Sequence, residues 1–263
     1  MVDINEVLDD LRTEGQIVEG FLTSLTPTEW QTLTPAAGWS IAHQIGHLLW
    51  TDDAARHSLI DSGEFTQIRA AWMAAPEAFV DQAAARLALL EPDDLLYRWR
   101  NGRNHLALIL RTIGADSRIE WFGPTMRPIS MASARLMETW AHGHDIAGTL
   151  REEYPAGKSL RHIADLGVRT RAFSYRNRGL APPEASIAVE LTAPNGETWA
   201  WGDRRNATSW VRGTAEEFCL AVTQRSHLDE LHLDITGEDA LDWLQIAQAF
   251  AGRPTTTPRK RLA

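Results

Sequence analysis

Between Arg135 and Asp145 a carboxylate and an imidazole stand four residues apart inside a segment that otherwise reads as buried helix, Arg-Leu-Met-Glu-Thr-Trp-Ala-His-Gly-His-Asp. On a helix of about 3.6 residues per turn, Glu138 and His142 lie about 40° apart on one face, so a single cation can touch both. Asp145, seven residues beyond Glu138, falls on the same face and is placed to orient a ligating imidazole, while His144 projects to the far side. Two ligands do not make a site. A helix of this kind therefore needs a facing element that supplies a third.

The best supplier is the stretch 39–50, where His43 and His47 again stand at helical spacing among apolar residues. Ile41, Ile45, Leu48 and Leu49 form a packing surface around His47, which directs its imidazole towards other helices rather than water. An isolated histidine on such a face is more often a satisfied core residue than a ligand. The pairing of His-x-x-x-His with a later Glu-x-x-x-His makes the two readings equally good. His43, one turn earlier, is a spare ligand, a second-shell donor or simply a packed residue.

Composition narrows the function classes. The 263 residues are 44% hydrophobic and 23% charged, with a net charge of -9, which suits a soluble globular protein and argues against a nucleic-acid surface. The short basic run Arg259-Lys260-Arg261 lies in a tail, 253–263, that reads as solvated and disordered. The single cysteine, Cys219, excludes a disulfide framework and a thiolate zinc cage, and its apolar neighbours make it a buried, inert thiol. The acidic N-terminus is unlike a signal peptide, and no apolar run approaches membrane-spanning length. The cytoplasm follows by default, with no membrane partner.

In chain order, Val7, Leu8, Leu11, Val18, Phe21, Leu22 and Leu25 form the stripe of an amphipathic helix ended by Thr26-Pro27. Ser40 is placed to cap a second helix from about 41 to 60. The segment 61–76 looks less regular, 77–90 is a short Ala-rich helix, and a stronger helix starts near Asp93. The proline-rich stretch 121–128 cannot be helical and is placed to cover a pocket, and Ser130 can cap a fourth long helix to about Leu150. Four long helices in sequence make a bundle the natural architecture, with ligands converging in its core. After a further helix at 160–175 and a linker at 178–183, the period changes. Ile187, Val189 and Leu191 alternate with polar or small residues, Pro194-Asn195-Gly196 turns the chain into a second strand, and further strands fit 209–213 and 231–235. With helices at 214–225 and 238–251, this half reads as a small α+β layer with an antiparallel sheet.

These residues resemble the mycothiol-dependent maleylpyruvate isomerase family over nearly the whole chain. The resemblance implies a fold class of α + (α+β): an N-terminal DinB-like four-helix bundle over 1–178 that carries the metal site, and a smaller sterol-carrier-protein-like α+β domain over 184–252. In that family a divalent metal, usually zinc, is held by a histidine on the second helix and a Glu-x-x-x-His pair on the last bundle helix. Gly46-His47-Leu48 and Glu138 to His142 stand in those positions, so the resemblance implies His47, Glu138 and His142 as ligands. It also implies an arginine late in the first helix of the C-terminal domain that binds substrate or thiol, and Arg225 matches it. The many tryptophans and the loop Trp121-Phe122-Gly123-Pro124 depart from the isomerase itself, which points to a separate branch with its own substrate.

The implied chemistry follows from the ligand set. Two imidazoles and a carboxylate leave zinc a position for water, thiol or substrate, and zinc lowers the pKa of a bound thiol such as mycothiol. The thiolate adds to an activated double bond, the resulting single bond rotates, and elimination returns the trans isomer; in an S-transferase the adduct is the product. Arg225 would grip a carboxylate of a small organic acid. Against these stand plainer readings. Arg225 can pair with Glu216, Glu217 or Asp229, Arg135 can pair with Glu138 and compete with the metal, Trp50, Trp99, Trp121 and Trp140 can be core-fillers, and the arginines at 169, 171, 176 and 178 can be a solvated face. A non-catalytic protein that binds metal or an apolar ligand and a metal-dependent hydrolase are the alternative functions, the partners are a small-molecule substrate and a thiol, and a homodimer is compatible with all of them.

Overall fold

The computed structural model describes residues 3–254, so the expected tail falls largely on residues 255–263, outside them. The chain divides into two compact units, 1–154 and 155–263.

The first unit is helical. It comprises α1 (Ile4–Leu22), α2 (Ile41–Ile60), α3 (Ser62–Ala74), α4 (Pro76–Leu87), α5 (Pro92–Thr112) and α6 (Pro128–Leu150). The four long members pack as their stripes require: α1 lies along α6 and α5, and α2 lies against α5, α4 and α6. Their core is Val7, Leu8, Leu11, Val18, Ile41, Ile45, Leu48, Leu95, Trp99, Leu106, Leu110, Leu136, Trp140 and Ile146, all buried. Two glycines beside His47 and His142 set close approaches. A Cβ at Gly46 would meet the Ala84 carbonyl of α4 at 2.8 Å, and one at Gly143 would meet Val18 of α1 at 2.7 Å. Any larger residue there would push a neighbouring helix away from the residues that follow or precede it.

Two helix starts differ from expectation for identifiable reasons. Segment 61–76 is helix α3, opened by the Asp61 side chain accepting from the Glu64 amide at 3.0 Å, with Phe65 buried beneath it. Helix α6 begins at Pro128 rather than after a Ser130 cap, because proline at the first helical position loses no hydrogen bond and already has the helical φ.

The second unit comprises α7 (Leu160–Arg169), α8 (Arg171–Arg176), β1 (Ile187–Thr192), β2 (Thr198–Trp201), β3 (Ser209–Thr214), α9 (Ala215–Val222), β4 (Asp234–Thr236) and α10 (Glu238–Ile246). Its four-stranded sheet has the order β2-β1-β3-β4. β1 and β2 form the expected hairpin around Gly196, whose φ of 83° suits glycine. The sheet is mixed rather than antiparallel: β3 runs parallel to β1, with Ile187 opposite Ser209, because the 202–208 connection carries the chain across the end of β1. The division at Tyr154 also falls earlier than the expected boundary at 178–184. Helix α7 packs on α9, α8 packs on α10, and the Cys219 thiol lies 3.5 Å from the Leu160 carbonyl, so the 160–176 helices belong with the sheet. Cys219 is fully buried, and burial pushes its thiol well above the ordinary range. Among the described residues no helix is long and apolar enough to cross a membrane.

Candidate metal centre

Ser40 and His43 pin the start of α2. The His43 Nδ1 accepts from the Ser40 backbone N–H at 3.3 Å and lies 2.8 Å from its hydroxyl, which makes this histidine a capping partner rather than a ligand. Burial lowers its pKa, and the Asp81 carboxylate opposes that fall. One turn further, the buried residues Ile41, Ile45 and Leu48 carry His47 into the unit, where it is 8% exposed. Helix α6 contributes Glu138 and His142 from consecutive turns, flanked by the buried Leu136, Trp140 and Ala141.

These three side chains meet. Glu138 Oε2 lies 3.2 Å from His47 Nε2 and 3.1 Å from His142 Nε2, and one ligand atom from each residue lies within 4.8 Å of the others. Tetrahedral zinc with bonds of about 2.0–2.1 Å separates neighbouring donors by about 3.3 Å, so the carboxylate-to-imidazole spacings suit that ion. Burial alone would raise the Glu138 pKa. The hydrogen bonds to His142 and His47 and the Arg135 charge outweigh it and hold the carboxyl well below its usual range.

A chain of hydrogen bonds fixes which nitrogen of His142 faces the centre. Thr34 Oγ1 donates to the Trp39 carbonyl at 3.0 Å, so its oxygen must accept from Gln44 Nε2, 2.7 Å away. The Gln44 amide oxygen is thereby turned to His142 Nδ1, which donates to it. With Nδ1 donating to Gln44, Nε2 is the nitrogen left to face Glu138 Oε2, where it shares a proton with the carboxylate or takes a cation in that proton's place. Gln44, wholly buried, is the orienting residue that spacing arguments missed. An uncharged amide set among Ile41, Ile45 and Leu48 is the signal that it needs a partner. Asp145, expected in that role, has its Oδ2 3.8 Å from the same nitrogen. His144 points elsewhere, with its ring 4.3 Å from that of Trp140 and 4.5 Å from that of Tyr154.

Aromatic rings flank the imidazoles. Half-buried Trp39 lies 5.1 Å from the His47 ring and stacks on His142 at 6.0 Å, held by its indole N–H donating to Asp81 at 3.0 Å. Trp50 stands 6.1 Å from His47 and touches Phe79 and Phe122. Trp50, Trp99, Trp121 and Trp140 are all buried.

Two charged residues lie behind the carboxylate. Arg135, 3% exposed, places Nη2 3.8 Å from Glu138 Oε1, the oxygen turned away from the imidazoles. On α2, burial pushes the Asp52 carboxyl up to about 6 against the pull of Arg135 and Arg103. Because this pKa is raised on folding, the stability linked to Asp52 is fully present below about pH 4 and is lost as pH rises through about 6. Asp52→Asn removes that slope, so the variant gains about 2 kcal/mol on wild type between pH 4 and pH 7. Urea unfolding at the two pH values measures the gain, and parallel stability profiles would contradict it.

Arg225 lies in the second unit, beyond the end of α9 rather than late within it, and its Nη1 donates to the Thr223 carbonyl at 2.7 Å. Of its expected alternative partners, Glu217 binds Thr214 and His232, and Asp229 binds His227. Of the basic cluster, Arg169 pairs with Asp165, Arg171 donates to the carbonyls of Pro183 and Ala185, and Arg178 donates to the Ser174 carbonyl.

Residues 11–147 match the family described as the mycothiol maleylpyruvate isomerase N-terminal domain, a span of more than half the chain that contains all three converging residues. The chain belongs to this family. Two uncharacterized proteins of Mycobacterium tuberculosis, from strains CDC 1551 / Oshkosh and ATCC 25618 / H37Rv, are each 46% identical to this family member over 254 residues, 97% of this chain and 98% of theirs. Crystal structures of the mycothiol-dependent maleylpyruvate isomerase and of a histidine-to-alanine variant share the fold over 97% of both chains. Their TM-scores are 0.57 and 0.58, at 15% and 14% identity. At that identity the likeness to the solved isomerase is one of fold.

Proposed function

We propose that this family member is a zinc- and mycothiol-dependent isomerase or S-transferase acting on a small organic acid or electrophile. The observation that carries the reading is the convergence of His47 Nε2, Glu138 Oε2 and His142 Nε2 in a family named for a mycothiol-using enzyme. In this reading the helical unit is a DinB-type bundle and the second unit is of the sterol-carrier type. His47, Glu138 and His142 hold the metal, Gln44 sets the His142 tautomer, and Trp39 and Trp50 limit the access of water to the imidazoles. A bound divalent ion supplies Lewis acidity that makes a thiol available as thiolate at neutral pH. Arg225 holds a substrate carboxylate through its guanidinium fork.

The test is a thermal-shift series on zinc-loaded protein with mycothiol, smaller thiols and their alcohol analogues. A ligand that binds only the native state raises the melting temperature, by the equivalent of about 2.7 kcal/mol at a hundred times its Kd. Thiols should raise it in the zinc-loaded wild type and not in His142→Ala, and alcohols in neither. Equal shifts with and without zinc would remove the thiol from the reading and leave metal-dependent hydrolysis or simple ligand binding.

A further inference from the structure

The arginine one turn before Glu138 reads from spacing alone as a competitor for the metal, but its placement favours the opposite role. Its guanidinium meets Oε1, whereas both imidazoles meet Oε2. The two carboxylate oxygens are thus assigned to different partners. The Arg135 guanidinium lies over the Trp121 ring at 5.7 Å, and its charge, with that of Arg103, is felt by Asp52, which is 2% exposed on α2. Its Nε and Nη1 and the Asp52 Oδ2 are buried without hydrogen-bond partners. Buried polar atoms of this kind call for a structural reason.

We propose that Arg135 is a positioning residue of the metal centre: its guanidinium draws Glu138 Oε1 to its own side, so that Oε2 is the oxygen presented to His47 and His142. This rests on the metal reading above. A carboxylate free to turn can offer a cation both oxygens and fill the position that a thiol or substrate needs. With Oε1 drawn to within 3.8 Å of the guanidinium and away from the imidazoles, the protein donors stay at three and a coordination position remains open.

The discriminating variant is Arg135→Met combined with Asp52→Asn, which removes both buried charged groups together and avoids leaving either one alone in the core. Cobalt(II) absorption and zinc competition titrations are read on wild type, the double variant and Arg135→Lys. Intense d–d bands of a four-coordinate ion are expected in wild type. The double variant should lose intensity as Glu138 becomes bidentate and should bind zinc about 10- to 100-fold more weakly. Arg135→Lys, with a cation on a similar stem, should recover most of the affinity. A double variant with the wild-type spectrum and equal or tighter zinc binding overturns the proposal and makes Arg135 a mere competitor. A folded wild type that takes up neither metal overturns the metal centre itself, and the role of Arg135 with it.

Discussion

His142→Ala and Glu138→Gln should each abolish stoichiometric zinc binding while leaving the helical unit folded. Wild-type protein equilibrated with buffered zinc and dialysed should retain about one equivalent by elemental analysis, and each variant well below a tenth. The loss follows from geometry. Glu138 Oε2 lies within hydrogen-bond distance of both imidazoles, so the amide removes the anionic donor between them, and removing His142 leaves a pair of donors that cannot enclose an ion. A hundredfold weakening corresponds to about 2.7 kcal/mol. Helical circular dichroism should be retained, because the apolar core of α1, α2, α5 and α6 does not include these side chains. Variants that keep a full equivalent would place any metal elsewhere.

Gln44→Leu should weaken zinc binding by about 10- to 100-fold while leaving all three ligands in place. Leucine fills a similar volume in this wholly buried position but accepts nothing from His142 Nδ1 and donates nothing to Thr34. The imidazole is then free to change tautomer and present an N–H to the centre. Stability should fall as well, by about 1–3 kcal/mol, because Thr34 and His142 each keep a buried group without its partner. Chelator competition and urea unfolding separate the two effects. A stability loss with unchanged zinc affinity would make Gln44 a core residue and nothing more.

What sequence made visible and what it hid divide along the range of the interactions. Helix α2 was legible almost to its ends because its signals are local, a Ser40 cap and an apolar stripe. The three converging residues were legible because Glu138 and His142 sit one turn apart and His47 interrupts an apolar face. The contacts of Gln44 and Arg135 were not legible, because sequence spacing does not specify them: Gln44 on α2 reaches His142 on α6, and which oxygen of Glu138 faces Arg135 depends on side-chain packing, including that of Arg135 against Trp121. Helix α3 carried a usable pattern in Phe65, Ile68 and Trp72, but Gly63 near its start and its largely exposed surface weakened it. In the second unit the strands were found, while the parallel pairing of β1 and β3 was not. Alternation says which face a residue takes and not which way a neighbouring strand runs. The boundary at Tyr154 was hidden for a similar reason, since the amphipathic face of α7 is as ready for a sheet unit as for a bundle and contact with α9 decides it.

The most direct measurement of the central claim is the X-ray absorption spectrum at the zinc edge of the loaded wild-type protein. The account predicts four light donors at about 2.0–2.1 Å. Two of them should show the outer-shell scattering of imidazole rings, and one imidazole signal should vanish in His47→Ala. A spectrum with a sulfur donor from the protein, or without imidazole scattering, would contradict a centre built from His47, Glu138 and His142.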